Sequence, residues 1–339
     1  MSRRLVLAGG LAGLCGCGVE AQATGTLIEQ RTFSGNRGTG SGGAGGEGLR
    51  ATDGMRIANS IFRDLGNGAV RVSRPVTGLT IEDCQGDNLY RFLEVTVSTG
   101  GADASLTDFA VRRVRAEGIE HGFSRIRYRS GRGLIEDVTA VCRESGGNDY
   151  CVGFQLEGEA SEITYRRAIA QAFQESSRPS SSYWNGDGFT DERGNSAIRY
   201  IECAASNCTD GGFDLKSSGV MLHDCVARGN KRNFRLWASG ELQGCESHEP
   251  VWRGGSGGKS HFSFHGDVGS YRIVRPTVRA SEGNEAPVFM FATNGQANIT
   301  IVDADIDAPS APLIRVESGP EPNIVFEPER SQQRIRTAS

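Results

Sequence analysis

Gly153-Phe154-Gln155-Leu156, Gly188-Phe189-Thr190-Asp191, Gly212-Phe213-Asp214-Leu215 and Asn233-Phe234-Arg235-Leu236 are four versions of one phrase. Each has a small residue or Asn, then Phe, then a freely varying residue, and usually Leu. Gly122-Phe123 and His261-Phe262 are weaker members. A second phrase follows several of them: Leu134-Ile135-Glu136-Asp137, Ile198-Arg199-Tyr200-Ile201-Glu202-Cys203, Val220-Met221-Leu222-His223-Asp224-Cys225 and Leu242-Gln243-Gly244-Cys245. Copies recur every 20 to 35 residues or so, the length of one solenoid turn with loops of varying size. Side chains alternate along a strand, so Phe and the residue two further on stack inward and the residue between them faces out. Short strands of this kind end in Gly, Asn, Asp or Ser, with no helical run between them, which argues against a βαβ sheet. The expected fold is all-β: a single-stranded right-handed parallel β-helix of roughly ten coils.

The solenoid is expected to span residues 50–319. Residues 24–49 read as a Gly-rich flexible lead-in, and 320–339 as a polar tail. Residues 1–23 read as a signal peptide: Arg3 and Arg4, an apolar core from Leu5 to Leu14, and a cleavage site at Ala21-Gln22-Ala23. The core is too short to span a bilayer. The protein is therefore expected in the periplasm or secreted, with twin-arginine export one route and a lipoprotein the lesser alternative at Leu14-Cys15-Gly16-Cys17. Of nine Cys, seven lie beyond this segment. Cys142 and Cys151 flank a Gly-rich loop and are candidates to pair. Cys203, Cys225 and Cys245 are read as buried small apolar residues. The net charge of −4 argues against nucleic acid as a partner. A monomer is expected.

The outward residues carry the chemistry. After each Phe come Gln155, Thr190, Asp214, Arg235 and Ser263; two residues later come Glu157, Glu192, Lys216, Trp237 and His265. Adjacent coils lie about 4.8 Å apart, which gathers Asp214, Lys216 and Arg235 into one patch. Asp187 and Asp210 lie just before two of the Phe residues. Several carboxylates suit Ca²⁺. A cation there would bind a uronate carboxylate and acidify the C5 proton. Lys216 or Arg235 is then the candidate base, Lys216 the easier, because a guanidinium stays protonated.

The run Asn185-Gly186-Asp187-Gly188-Phe189, Thr209-Asp210-Gly211-Gly212-Phe213-Asp214-Leu215 and Asn233-Phe234-Arg235-Leu236 resembles the family 9 pectate lyases, over about the central 50 residues. Those are Ca²⁺-dependent β-helix enzymes of the pectin lyase-like superfamily. The resemblance implies that Asp187, Asp210 and Asp214 are calcium ligands and that Arg235 stands at the base. Gly211 replaces that family's second Asp, and Arg235 replaces its Lys.

The reading is an exported polysaccharide lyase, cleaving an acidic, uronate-containing polymer by calcium-assisted β-elimination. Trp184 and Trp237 are candidates to stack on sugars, or else buried supports. Arg125 and Arg127 are candidates to bind carboxylates one or two subsites away, or else part of a solvated stripe. His265 falls on the same outward ladder. Two alternatives stay open: a metal-free hydrolase or epimerase using Glu157, Glu192 and Asp187, and a non-catalytic β-helix that binds polysaccharide.

Overall fold

The computed structural model describes residues 25–36, 46–97, 104–143, 150–175, 178–179 and 181–338. They wind as a right-handed parallel β-helix. Each coil lays one strand in an eleven-stranded sheet that runs from Leu49–Arg50 to Ile314–Ser318. The remainder of each coil joins a 23-stranded sheet that wraps the other faces.

The Phe phrase sets the register. Phe154, Phe189, Phe213, Phe234, Phe262 and Phe289 are paired coil to coil along the smaller sheet. From Phe154 to Phe262 their rings stack at centroid distances of 4.8, 4.8, 5.1 and 5.1 Å, close to the strand spacing. The stack is fully buried, and each ring contributes about 1.5–3 kcal/mol of hydrophobic stabilisation. Tyr165 and Tyr200 form a second column edge-on to it, 5.2 Å apart. Cys84, Cys203, Cys225 and Cys245 occupy one inward corner position, and each thiol points to the carbonyl oxygen two residues before it. They are buried free thiols, as expected, and so are Cys142 and Cys151, which do not form a disulfide.

One corner is built from left-handed residues that are not glycine. Asn59, Asp83, Arg113, Asp137, Arg167, Glu202 and Asp224 have φ between +48° and +54°. Asp and Asn tolerate this region; Arg does so rarely. From Asp83 to Glu202 the charges alternate along the axis. Arg113 Nε donates to Asp83 Oδ1 at 2.7 Å, and Arg167 Nε to Asp137 Oδ1 at 2.6 Å.

Both ends of the solenoid extend beyond the expected boundaries. Leu27–Glu29 pairs with Arg56–Ala58 and Thr32–Ser34 with Ile61–Leu65, while Phe33 stacks on Phe62 at 5.0 Å. Part of the expected lead-in is therefore a coil. The expected tail is another: Asn323–Glu327 pairs with Asn298–Val302, and Arg334–Ala338 with Asp305–Pro312. Ile324, Phe326 and Ile335 supply the inward side chains that the surrounding charges hid. The expected signal peptide, 1–23, lies outside the described residues.

Candidate active site

Four neighbouring strands build the site: Asp187–Asp191, Gly211–Leu215, Arg232–Leu236 and Ser260–Gly266. The outward row is Thr190, Asp214, Arg235 and Ser263, as the phrase requires. Two loops rise beside it. Glu175, fully buried, pairs with Arg178 at 3.2 Å and accepts from the amide of Asn185 at 2.8 Å, fixing the base of the first loop. The amide of Ser256, in the second loop, donates to the carbonyl of Ser182 at 2.9 Å. The loops close over Trp184, whose ring lies so near Gly254, at φ +129°, that a Cβ there would sit 2.5 Å from it. The result is a cleft of about 370 Å³ lined by Tyr183, Asp214, Lys216, Arg232, Arg235, Trp237, Ser256, Gly257 and His265. A larger concavity, about 590 Å³, lies around Met221 and Tyr271 on the other sheet and gathers no comparable set of charges.

Ion pairing organises the floor of the cleft. Arg235 donates to both oxygens of Asp214, Nε at 2.8 Å and Nη2 at 2.5 Å, and also reaches Asp210 at 3.1 Å. Arg232 donates to Asp210 at 2.7 Å, and Lys231 Nζ lies 3.4 Å from the same oxygen. Trp237 Nε1 donates to Asp214 at 2.7 Å. Burial opposes ionisation of Asp210, but Arg235, Arg232 and Lys231 outweigh it and hold the carboxyl at about 2. Burial is likewise outweighed at Asp214, chiefly by Arg235, so that carboxyl also stays below its usual range. Asp187 differs. Among the described residues it makes no ion pair, and it accepts the amide of Gly211 at 2.5 Å. Burial first, then Asp214 and Asp210, push its pKa well up. Three cations, Lys231, Arg232 and Arg235, thus converge on two carboxylates, Asp210 and Asp214, although burial lowers the pKa of Lys231.

These facts bear directly on the residues expected to hold calcium. Guanidinium and ammonium groups already fill the faces of Asp210 and Asp214 that would turn to a cation. A side chain at position 211 would displace its neighbours, because a Cβ there would lie 2.8 Å from Asp187 Oδ1 and 3.0 Å from Asp214 Cβ. No group of three or more His, Cys, Asp or Glu among the described residues is arranged to hold a metal ion. The donor set fits Arg235 itself, a cation built into the chain, and does not fit Ca²⁺.

The expected bases are also held charged. Burial lowers the pKa of Arg235, but Asp210 and Asp214 more than reverse this and push it well up. At Lys216, burial is overcome by Asp214 and Glu192, whose carboxylate lies 2.5 Å from Nζ. His265 is the opposite case. Burial, then Arg235 and Arg232, pull its pKa down to about 3, so its ring is neutral near pH 7. It packs 4.8 Å from Trp237, and its Nε2 has no hydrogen-bond partner among the described residues.

Trp237 and His265 thus meet in the cleft, whereas Trp184 is a buried support, 8% exposed, with its Nε1 donating to the carbonyl of Pro179. Arg125 and Arg127 share Glu157, at 3.0 and 2.9 Å. Glu157 and Glu192 are each committed to cations, so they do not form a free acid–base pair. Sequence reasoning missed Lys231, Arg232 and Tyr183. The first two occupy the place in their coil that Asp210 and Gly211 occupy in the one before, so the repeat could have revealed them. Tyr183 comes from a loop, beyond the reach of the repeat.

No family model matches the chain, and no curated protein matches it. Solved structures do. The A-module of mannuronan C-5 epimerase AlgE4 from Azotobacter vinelandii is 14% identical, over 88% of this chain and 91% of that one, with a TM-score of 0.60. A variant of the periplasmic alginate epimerase AlgG is 8% identical, over 92% of this chain and 76% of that one, at TM-score 0.52. Pectate lyase Pel9A is 12% identical, over 84% and 69%, at 0.42. At these identities the likeness is one of fold: the chain is similar to right-handed parallel β-helix proteins.

Proposed function

We propose that the cleft acts on a uronate-containing polysaccharide by removing the proton at C5, with Arg235 and its neighbours doing the electrostatic work otherwise assigned to a metal. The observation that carries this reading is the buried cluster in which three cations, Lys231, Arg232 and Arg235, pair with two carboxylates, Asp210 and Asp214. These cations are complementary to a substrate carboxylate. Arg232, whose Nε is buried without a partner among the described residues, and Lys216 are the groups placed to meet it.

Binding a carboxylate there offsets the field of Arg235 and Arg232 at His265 and raises that ring's basicity. His265 Nε2 then takes the C5 proton, and the electron pair left behind delocalises into the substrate carboxylate, which the cations stabilise. Delivery of a proton from water to the opposite face, with His265 releasing its own proton to solvent, gives the epimer. Breaking the C4–O bond, with its electron pair leaving on oxygen, gives a C4–C5 double bond and a shortened chain. The alginate epimerases among the fold neighbours support the first outcome, and the phrase shared with family 9 pectate lyases supports the second. The epimerase outcome is the one we favour, because the expected calcium ligands are occupied.

A panel of pectate, alginate and bacterial acidic exopolysaccharides, incubated with the protein, separates the outcomes. Ultraviolet absorbance of unsaturated uronate reports elimination, NMR of the C5 configuration reports epimerisation, and new reducing ends without either report hydrolysis. Epimerisation or elimination on one polymer is expected. Hydrolysis, or retention of polymer with no chemistry, contradicts the reading.

A further inference from the structure

The row that carries Lys216, Trp237 and His265 continues in both directions along the axis. Toward the N-terminus it passes Glu192 and reaches Glu157 and Arg127, all partly exposed. Toward the C-terminus the next position is Ala292, which has nothing to offer a carboxylate. The two directions therefore differ chemically. Arg125 and Arg127 are two guanidiniums on the single carboxylate of Glu157, whose Oε1 also accepts from Gln155 Nε2 at 2.6 Å. One positive charge is left over on a partly exposed surface. Beside it Arg91, 2% exposed, is balanced by Glu94 at 2.7 Å, while its buried Nε has no partner among the described residues. The strand of Arg125 lies four steps from that of Arg235, so the two positive centres are about 19 Å apart along the axis.

We infer that Arg125 and Arg127 form a second carboxylate subsite, and that a polyuronate lies along the row on the N-terminal side of the cleft, with its reacting residue at His265 and a more distant uronate on these two arginines. The inference rests on the reading of the cleft as a uronate site. It makes a polymer of several consecutive uronates the substrate, since a mono- or disaccharide reaches only one centre. Glu157 is a positioning residue that holds the two guanidiniums side by side.

The test is calorimetric binding of a length series of oligouronates, from dimer to octamer. The variant is Arg125→Gln with Arg127→Gln and Glu157→Gln, which removes the excess charge without stranding the carboxylate. Arg315→Gln, at an exposed arginine on the C-terminal side, is the control. Wild-type affinity is expected to rise with length and step up when the chain spans the two centres. The triple variant, folded by its melting curve, is expected to lose that step, about tenfold or more, while binding the shortest oligomers as the wild type does. Arg315→Gln is expected to keep the step. A step retained by the triple variant, or lost in Arg315→Gln instead, overturns the subsite and leaves the cleft reading standing. A wild type that binds no oligouronate of any length overturns the cleft reading itself.

Discussion

Arg235 donates two hydrogen bonds to Asp214 and a third to Asp210, all of them buried. Removing one partner of such a cluster leaves uncompensated buried charge, typically at a cost of about 3–5 kcal/mol. Arg235→Ala is therefore expected to lower stability on that scale in denaturant titrations, and Asp187→Asn, at a carboxyl that makes no ion pair among the described residues, to change it far less. Acid sensitivity follows from the same groups. Asp210 and Asp214 have folded pKa values below the unfolded carboxylate value, so their contribution is complete above about pH 4 and is lost as pH falls through those lowered values, about 2 for Asp210. His265 is held near 3 in the folded protein against 6.5 unfolded, so the unfolded chain gains its proton first and stability declines as pH falls below 6.5. Unfolding free energies measured from pH 7 down to 3 are expected to fall over that window, and His265→Asn to flatten the upper part of the fall. At this scale the sequence was half legible. The row of Asp214, Lys216, Arg235, Trp237 and His265 follows from the alternation of side chains. That Arg235 clamps the carboxylates instead of serving as a base depends on interatomic distances of a few ångströms, which no spacing in the chain encodes.

The stacked strand is the repeating element, and its Phe is the inward constant. Phe213 lies between Phe189 and Phe234, under the strand that carries Asp214. Phe213→Ala is expected to cost about 3–5 kcal/mol through lost burial and the cavity left behind, readable as a lower denaturation midpoint with an unchanged slope. Gly211→Asp restores the carboxylate of the lyase phrase but crowds Asp187 and Asp214, so the expected result is a less stable protein without calcium-dependent stabilisation. The Phe phrase was legible because hydrophobic contacts repeat from coil to coil. The corner of left-handed Asp, Arg and Glu was not, because Arg113 and Arg167 carry no turn signature and owe their places to the charges above and below them.

Across the whole molecule the coils contact mainly their neighbours, so stability accumulates along the axis and the ends matter for stability more than for chemistry. Deleting residues 320–338 strips the strands from Asn298–Val302 and Asp305–Pro312. The expected effect is a lower melting temperature with polymer binding retained, since the His265 strand lies two coils away and the rest of the cleft further. The sequence placed both ends of the solenoid short, because single inward residues such as Phe33 and Phe326 sit among polar neighbours and repeat too few times to stand out. The account as a whole stands on one claim, that this positively charged cleft removes a C5 proton from a uronate polymer without a bound metal. The most direct measurement is NMR of deuterium incorporation at C5, with chelator-treated protein and polyuronate in heavy water. The account predicts incorporation that is unaffected by chelator and abolished in His265→Ala. Incorporation that appears only when calcium is restored, or that persists in His265→Ala, would contradict it.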